Sequence, residues 1–505
     1  MNSTGMHKGA RGAGAVMTAL ILGAGSAAAD IAPADVWADW QDYLRGFGFE
    51  VSATETETAD ALELTDLTLT QTLPDGAGTT VFTIPQITMQ DNGDGTVGIA
   101  YPEDLPIRIE QSGPETVTVD MRYLTDNMVS NVSGDAARMV YDYTADGIGI
   151  RIDSVAADGE TMDLGDIAFD IEAVEGRTVM ELDGGRIANQ VVKSGPATYR
   201  LTMSDPEGGD LDMNGRFDTL EMSAMLNMPE GVDGADMTAA LAQGFSVEGT
   251  YAFGPGASAF EIKEEGTTTS GSTSSRGGKL SVAMDADGLA YGAMSEGLVA
   301  QITTPQLPVP LSMEMEEAVF DLAFPVAKAE APQDFGLNLL LGGVSLGDTA
   351  WALLDANGVL PRDPATIALD LEGAATILAD IMDPSEMMRV EMGDEAPAEL
   401  NAMTLNRLLV SLAGAELTGM GDLTFDEGVE NGFGGAVGTA SFKLTGANTL
   451  LDRLISLGLI DQSQAMMARM TLGSAAVPGE GEDTLVSEIE LTPEGGIIAN
   501  GQRLR

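Results

Sequence analysis

From Ala61 onward, apolar residues recur at every second position, and this period of two is what most constrains the fold. Leu62 and Leu64 alternate with polar residues. The phase then slips by one, and Leu67 and Leu69 continue the alternation. After Pro74-Asp75-Gly76 the same thing happens again: Phe82 and Ile84 alternate, the phase slips at Pro85, and Ile87 and Met89 continue. Successive side chains of a strand point to opposite faces, so an uncompensated slip moves the apolar set to the wrong side. A bend or bulge restores it. The two slips lie at similar distances from the turn, so they are expected to face each other across one hairpin of a curved sheet.

The alternation runs on through Val97, Ile99 and Tyr101, through Val117 to Tyr123, and through Ile148, Ile150 and Ile152. Asn92-Gly93-Asp94-Gly95 and the repeated Ala-Asp-Gly at 145–147, 157–159 and 286–288 punctuate it as turns. The fold class expected is mainly β: long, curved, antiparallel meanders with a few helices. One helix is predicted at the N-terminal end, over Asp30–Phe49, where Val36, Trp37, Trp40, Tyr43, Leu44 and Phe47 fall at helical spacing and Pro33 suits the first turn. Two more are predicted near the C-terminal end. Ala447–Leu459 places Leu450, Leu451, Leu454 and Ile455 on one face. Asp461 and Gln464 form a capping pair for a second helix, expected to bury Met466, Met467 and Met470.

Residues 1–29 read as a secretory signal peptide. Lys8 and Arg11 precede a short apolar stretch centred on Val16–Leu22, and Ala27-Ala28-Ala29 supplies a small-residue cleavage site. The expected location is therefore the periplasm. No later segment is apolar for long enough to suggest a membrane-spanning helix. The 505 residues exceed one ordinary core. The expected division is a β-rich domain over 30–265, a flexible Gly/Ser/Thr connection over 266–278 (GTTTSGSTSSRGG), and a β-rich domain with helices over 279–505.

Composition excludes much chemistry. The net charge of −55, from 79 acidic and 24 basic residues, argues against nucleic acid as a partner and suits a salty medium. There is no cysteine, and the one histidine is His7 within the leader. Thiol catalysis, Cys-ligated metals, a histidine base and His-ligated metals are thus unavailable after cleavage. No catalytic residue, cofactor or metal ligand is assigned. Asp91-Asn92-Gly93-Asp94-Gly95 fails as a calcium loop, because positions three and five are glycines and position twelve is Pro102. The methionines at 382, 387, 388 and 392 read as packing rather than as a thioether copper site. Carboxylates such as Glu314, Glu316 and Glu317, or Asp380 and Asp383, read as solvated faces.

Three stretches together resemble the family called domain of unknown function 2125, found in exported proteins of alphaproteobacteria. They are VWADWQDYLRGFGFE at 36–50; Leu346–Leu371, with Trp351 and the run Leu360-Pro361-Arg362-Asp363-Pro364-Ala365-Thr366; and Leu405–Leu459, with Leu417-Thr418-Gly419, Gly421-Asp422-Leu423 and TGANTLLDRLISLGLI. That family carries no assigned activity, so no residue role transfers. The C-terminal alternation of short strands and a leucine helix also resembles AsmA-like envelope proteins, which implies a β structure with an apolar groove and lipid handling.

The function expected is non-enzymatic: binding of a lipid or other amphipathic ligand along a curved sheet, with Leu67, Leu69, Phe82, Ile84, Ile87 and Met89 as the groove residues. Alternatives are a structural or interaction module that binds another envelope protein, and a carboxylate-based hydrolase.

Overall fold

The computed structural model describes residues 31–504, apart from 74–77, 163–164, 206–208, 233–235, 265, 394–395 and 426–434. The leader and the Pro74-Asp75-Gly76 turn lie outside the described residues. The chain is mainly β, with antiparallel pairing throughout and six helices among the described residues. No helix among them is long and apolar enough to cross a membrane. The chain divides into two compact units at Phe245/Ser246.

The N-terminal unit opens with helix α1 (Pro33–Gly46), which has proline in its first turn as expected. A meander follows. Strand Phe49–Glu57 pairs with Ala61–Leu73, which pairs with Gly78–Asp91. Gly78–Asp91 then divides its edge between Val97–Ala100 and Asp104–Ser112. The long strand Arg138–Ala157 pairs with Val117–Asp126, Val129–Asp135 and Ile167–Glu181. The unit closes with helix α2 (Met237–Ala242).

The paired phase slips do face each other. Leu64 pairs with Ile87 and Thr65 with Gln86; the next pair is Leu67 with Ile84. Between them Asp66 adopts a φ of 52°, a left-handed conformation that resets the pleat. Leu62, Leu64, Leu67 and Leu69 are therefore all buried on one side. Ala173, with a φ of 50°, does the same where the pairing passes from Glu172–Gly147 to Val174–Ala145.

The core of this unit lies between the hairpin and α1. Val36, Trp37 and Trp40 pack onto the leucines, with Phe49, Phe82, Val97, Ile99, Val132 and Tyr141 around them. A buried ion pair ties the helix to the sheet. Arg186 lies 2.7 Å from Asp39, donates to the Asp39 carbonyl at 3.2 Å, and sits 5.0 Å above the Tyr43 ring. Tyr141 donates its hydroxyl proton to the same carboxylate at 2.9 Å. Removing either charge would leave the other desolvated and unpaired, which costs far more than the intact pair contributes.

The C-terminal unit is a second meander. Strand Ser246–Phe253 pairs with Gly277–Asp285, and that strand with the first half of Gly288–Thr304. Pairing then runs in order through Leu307–Phe324, Gln333–Leu346, Ala365–Ile377, Ala398–Leu412, Ala415–Phe425, Ala436–Thr445 and Thr484–Leu491. Helices α3 (Asp348–Leu354), α4 (Pro384–Glu391), α5 (Ala447–Ser456) and α6 (Gln462–Ala475) interrupt it.

Two expectations about this region need correction. Residues 266–278 are not a flexible connection. Thr267–Ser275 is a strand held on both sides, by Gly256–Glu264 and by the second half of Gly288–Thr304. Serine, threonine and glycine tolerate a pleated strand when the register supplies backbone partners, and low complexity conceals that register. The unit boundary accordingly falls near 245, not at 265. Secondly, α6 forms with the expected capping box, Asp461 accepting from the Gln464 N–H at 2.8 Å, but its methionines point outward.

Six register pairs set an aromatic ring against a glycine: Tyr143–Gly176, Tyr199–Gly215, Phe253–Gly278, Phe260–Gly271, Phe335–Gly373 and Phe442–Gly419. In each, a Cβ added to the glycine would collide with the ring. The ring lies across the exposed backbone of its neighbour and covers it, which accounts for glycines inside strands.

Candidate functional site

The six residues expected to line a groove are brought together but covered. Leu67 pairs with Ile84 and Leu69 with Phe82, while Ile87 and Met89 pair with Leu64 and Leu62. All six belong to the closed core under α1, and Ile87 and Met89 are 0% exposed. The expectation of a groove here is corrected: the helix predicted from Val36, Trp37 and Trp40 fills the concavity that the phase slips create.

A continuous accessible apolar surface lies in the other unit. Residues paired in register across neighbouring strands share a face. Followed strand by strand, Tyr251, Leu280, Ala293, Phe320, Leu339, Leu369, Leu408, Gly419, Phe442 and Ser487 form one lane across ten strands. At a strand spacing of about 4.8 Å the lane is roughly 40 Å long. A second lane on the same face includes Leu341, Ile367, Val410, Leu417, Leu444 and Leu485. A third includes Val282, Tyr291, Leu322, Leu337, Leu371 and Leu405. None of these positions is charged, in a chain of net charge −55.

A bulge keeps the lanes aligned. Leu369 pairs with Leu408 and Leu371 with Leu405, so two residues between these pairs on one strand, Asn406 and Arg407, face one on the other, Asp370. Asn406 and Arg407 absorb the extra residue, and both leucines stay on one face. It has the same effect as the turn at Asp66, reached by a different backbone route.

These side chains touch their neighbours within the sheet but are not covered. Leu280 is 50% exposed, Tyr291 44% and Phe320 40%, and most of the leucines are partly accessible. The fully buried apolar residues of this unit are few and mostly alanines. A monomeric soluble domain seldom leaves so continuous an apolar surface open unless something binds there.

The opposite face carries the charge. A cleft of about 430 Å³ crosses it, walled by Glu248, Lys279, Asp321, Asn338, Asp370 and Glu372. Asn338 donates to Asp321 at 3.0 Å, and Asn406 to Asp370 at 3.2 Å. The carboxylates here form a hydrogen-bonded ladder with amides, and the aromatic rings of these strands point to the other side.

The remaining motifs have structural roles. Asp91 accepts from the Gly93 N–H and Asp94 from the Thr96 N–H, so both carboxylates close the turn itself. In the run Leu360–Thr366, Arg362 stacks 5.4 Å from the centre of the Trp351 ring, while buried Asp355 accepts from the N–H groups of Val359 and Leu360. Those bonds hold the Asp355 carboxyl below its usual range. Of the 382–392 methionines, Met382 and Met387 are half-buried, whereas Met388 and Met392 are exposed; packing explains only the first two.

No protein-family model, curated protein or solved structure matches this chain.

Proposed function

We propose that the protein is a non-enzymatic lipid-binding protein of the cell envelope, and that its C-terminal unit holds the acyl chain of a lipid or similar amphipathic ligand along the apolar lanes. The observation that carries this reading is the uncharged lane from Tyr251 to Ser487, whose residues are exposed or half-buried except for Gly419 and Ser487 near one end. At roughly 40 Å it is longer than the ~30 Å hydrocarbon thickness of a bilayer, so an acyl chain fits along it. Covering such a surface with an acyl chain releases water from both, at about 25 cal/mol per Å² of apolar area. Export through the leader at 1–29, and kinship with the exported family resembled by the Leu360–Thr366 run, belong to the same proposal.

The test is organic extraction of protein purified without detergent, followed by mass spectrometry, together with titration of a fluorescent fatty acid. Co-purified lipid, and binding weakened at least tenfold by Phe320→Ser with Leu369→Ser, support the reading. Lipid-free protein that gives the probe no protection from quenching contradicts it.

A further inference from the structure

Helix α6 carries an outward cluster of sulfur that the sequence pattern does not foretell. Ala465 is buried and Ala468, Arg469 and Leu472 are half-buried, while Met466, Met467 and Met470 are 63%, 69% and 70% exposed. Packing therefore makes little use of these three side chains. Viewed down an axis of about 3.6 residues per turn, Met470 falls between Met466 and Met467, which lie four and three positions before it. Helical side chains lean toward the N-terminus, so the Met470 thioether lies over the turn that carries the other two. Three flexible chains can then bring their sulfurs to one point. Arg469 is the only charged residue within the helix, and its guanidinium is engaged by Asp452 at 2.7 Å and by Asn448 at 3.1 Å, both on α5. Asp461 is occupied as the helix cap, accepting from the Gln464 N–H at 2.8 Å and from the Ser463 hydroxyl at 2.6 Å.

We propose that Met466, Met467 and Met470 form a binding site for a soft monovalent metal cation of the copper(I) class, held by three thioether sulfurs. Donor chemistry selects the ion. A neutral thioether is a soft ligand that suits Cu(I), whereas hard cations such as Ca(II) and Mg(II) take oxygen. Beyond His7 the chain has neither cysteine nor histidine, so the thioethers are its only soft donors. Three of them stand together here, exposed and within one turn of a helix. Charge favours the same occupant. A net charge of −55 draws cations toward the surface, and the one positive side chain of α6 is neutralised by Asp452. The exposed methionines of α4, Met388 and Met392, supply only two sulfurs and make the lesser site. The site is independent of the lipid-binding reading.

The test titrates the full-length protein with Cu(I) under nitrogen, in competition with a coloured Cu(I) chelator, and repeats the titration on a Met466→Leu, Met467→Leu, Met470→Leu variant. Leucine keeps the size, the apolar character and the helix propensity and removes only the sulfur, so a merely apolar partner would not register the change. The expected result is tight binding of one Cu(I) by the unsubstituted protein, weakened at least tenfold in the triple variant, whose unfolding midpoint stays that of the parent. In protein carrying carbon-labelled methionine methyl groups, the resonances of Met466, Met467 and Met470 shift together as Cu(I) is added, while those of buried Met89 and Met139 stay in place. Two controls bind the first Cu(I) as the parent does: Met388→Leu with Met392→Leu on α4, and Met420→Leu, an exposed methionine opposite Ser441. No binding, equal binding by the triple variant, or a loss in either control as large as in the triple variant overturns the proposal. Zn(II) or Ca(II) shifting the same three resonances as strongly as Cu(I) also overturns it, because the site would then not be selecting by softness.

Discussion

The two units apply one sequence device to opposite ends. Both are antiparallel meanders whose apolar residues alternate, and both repair a phase slip so that one face stays apolar. In the N-terminal unit that face is covered: α1 lays Val36, Trp37 and Trp40 over Leu64, Leu67 and Ile84. In the C-terminal unit the corresponding face, with Phe320, Leu339 and Leu369 at its centre, remains accessible. Alternation determines which residues share a face. Whether that face becomes a core or a binding surface depends on an element that the alternation does not encode.

The largest expected effect lies where the covering helix is tied down. Asp39→Ala strands Arg186 in the core and should destabilise the N-terminal unit by about 3–5 kcal/mol in denaturant titrations. An Asp39→Leu, Arg186→Met pair should recover most of that loss. If Asp39→Ala is silent, the tie does not hold the helix.

The next contrast is one substitution made in both units. Leu64→Ala opens a cavity under α1 and should cost about 3 kcal/mol. Leu369→Ala removes a side chain that is still partly hydrated, leaves no closed cavity, and should cost about 1 kcal/mol or less. Equal losses would show that the C-terminal face is as well packed as the core. Between these two, at about 1–2 kcal/mol, is Gly419→Ala, whose Cβ would meet the Phe442 ring at 2.5 Å. Adding Phe442→Leu should relieve it, as read by the midpoint of unfolding.

The gentlest contrast is in pH. Four carboxylates of the C-terminal unit lie below their usual range. N–H donors act at Asp355 and Glu386, and the Ser463 hydroxyl at Asp461; at Asp483, burial opposes the shift but bonds from Thr449 and Asn448 prevail. A lowered carboxyl stabilises the fold above its unfolded value near 4, and that contribution is lost as pH falls through the folded value. In the N-terminal unit, burial raises the hydroxyls of Tyr101, Tyr123, Tyr141 and Tyr143. Their contribution is full below the unfolded value near 10 and is lost as pH rises beyond it. Acid should therefore loosen the C-terminal unit first and alkali the N-terminal unit first, as followed by hydrogen exchange. The same unit failing first at both extremes would break the contrast.

Much of this was legible in the residues. The facing slips at Leu64/Leu67 and Ile84/Ile87, helix α1 with its tryptophan face, and the Asp461–Gln464 cap all follow from local spacing. The lanes were half legible. Leu337-Asn338-Leu339 and Leu369-Asp370-Leu371 alternate as plainly as Leu62–Leu69 does, but covering is a tertiary property, and so alternation points as readily to the covered hairpin as to the open face. The strand at 267–275 and the aromatic–glycine pairs depend on register between distant residues, which no local pattern reveals. Hydrophobicity alone places the methionines of α6 inside, whereas the helix buries Ala465 and turns them outward.

The central claim is that the exposed lane, and not the covered hairpin, contacts lipid. A photo-crosslinking amino acid introduced singly at Leu339, Leu369, Asp370 and Leu67 tests it most directly, with adducts read by mass spectrometry after irradiation in cells. Lipid adducts at 339 and 369, with none at 370 on the charged face or at 67 in the core, are the predicted result. Adducts at Asp370 as strong as those at Leu369, or none at either lane position, would contradict it.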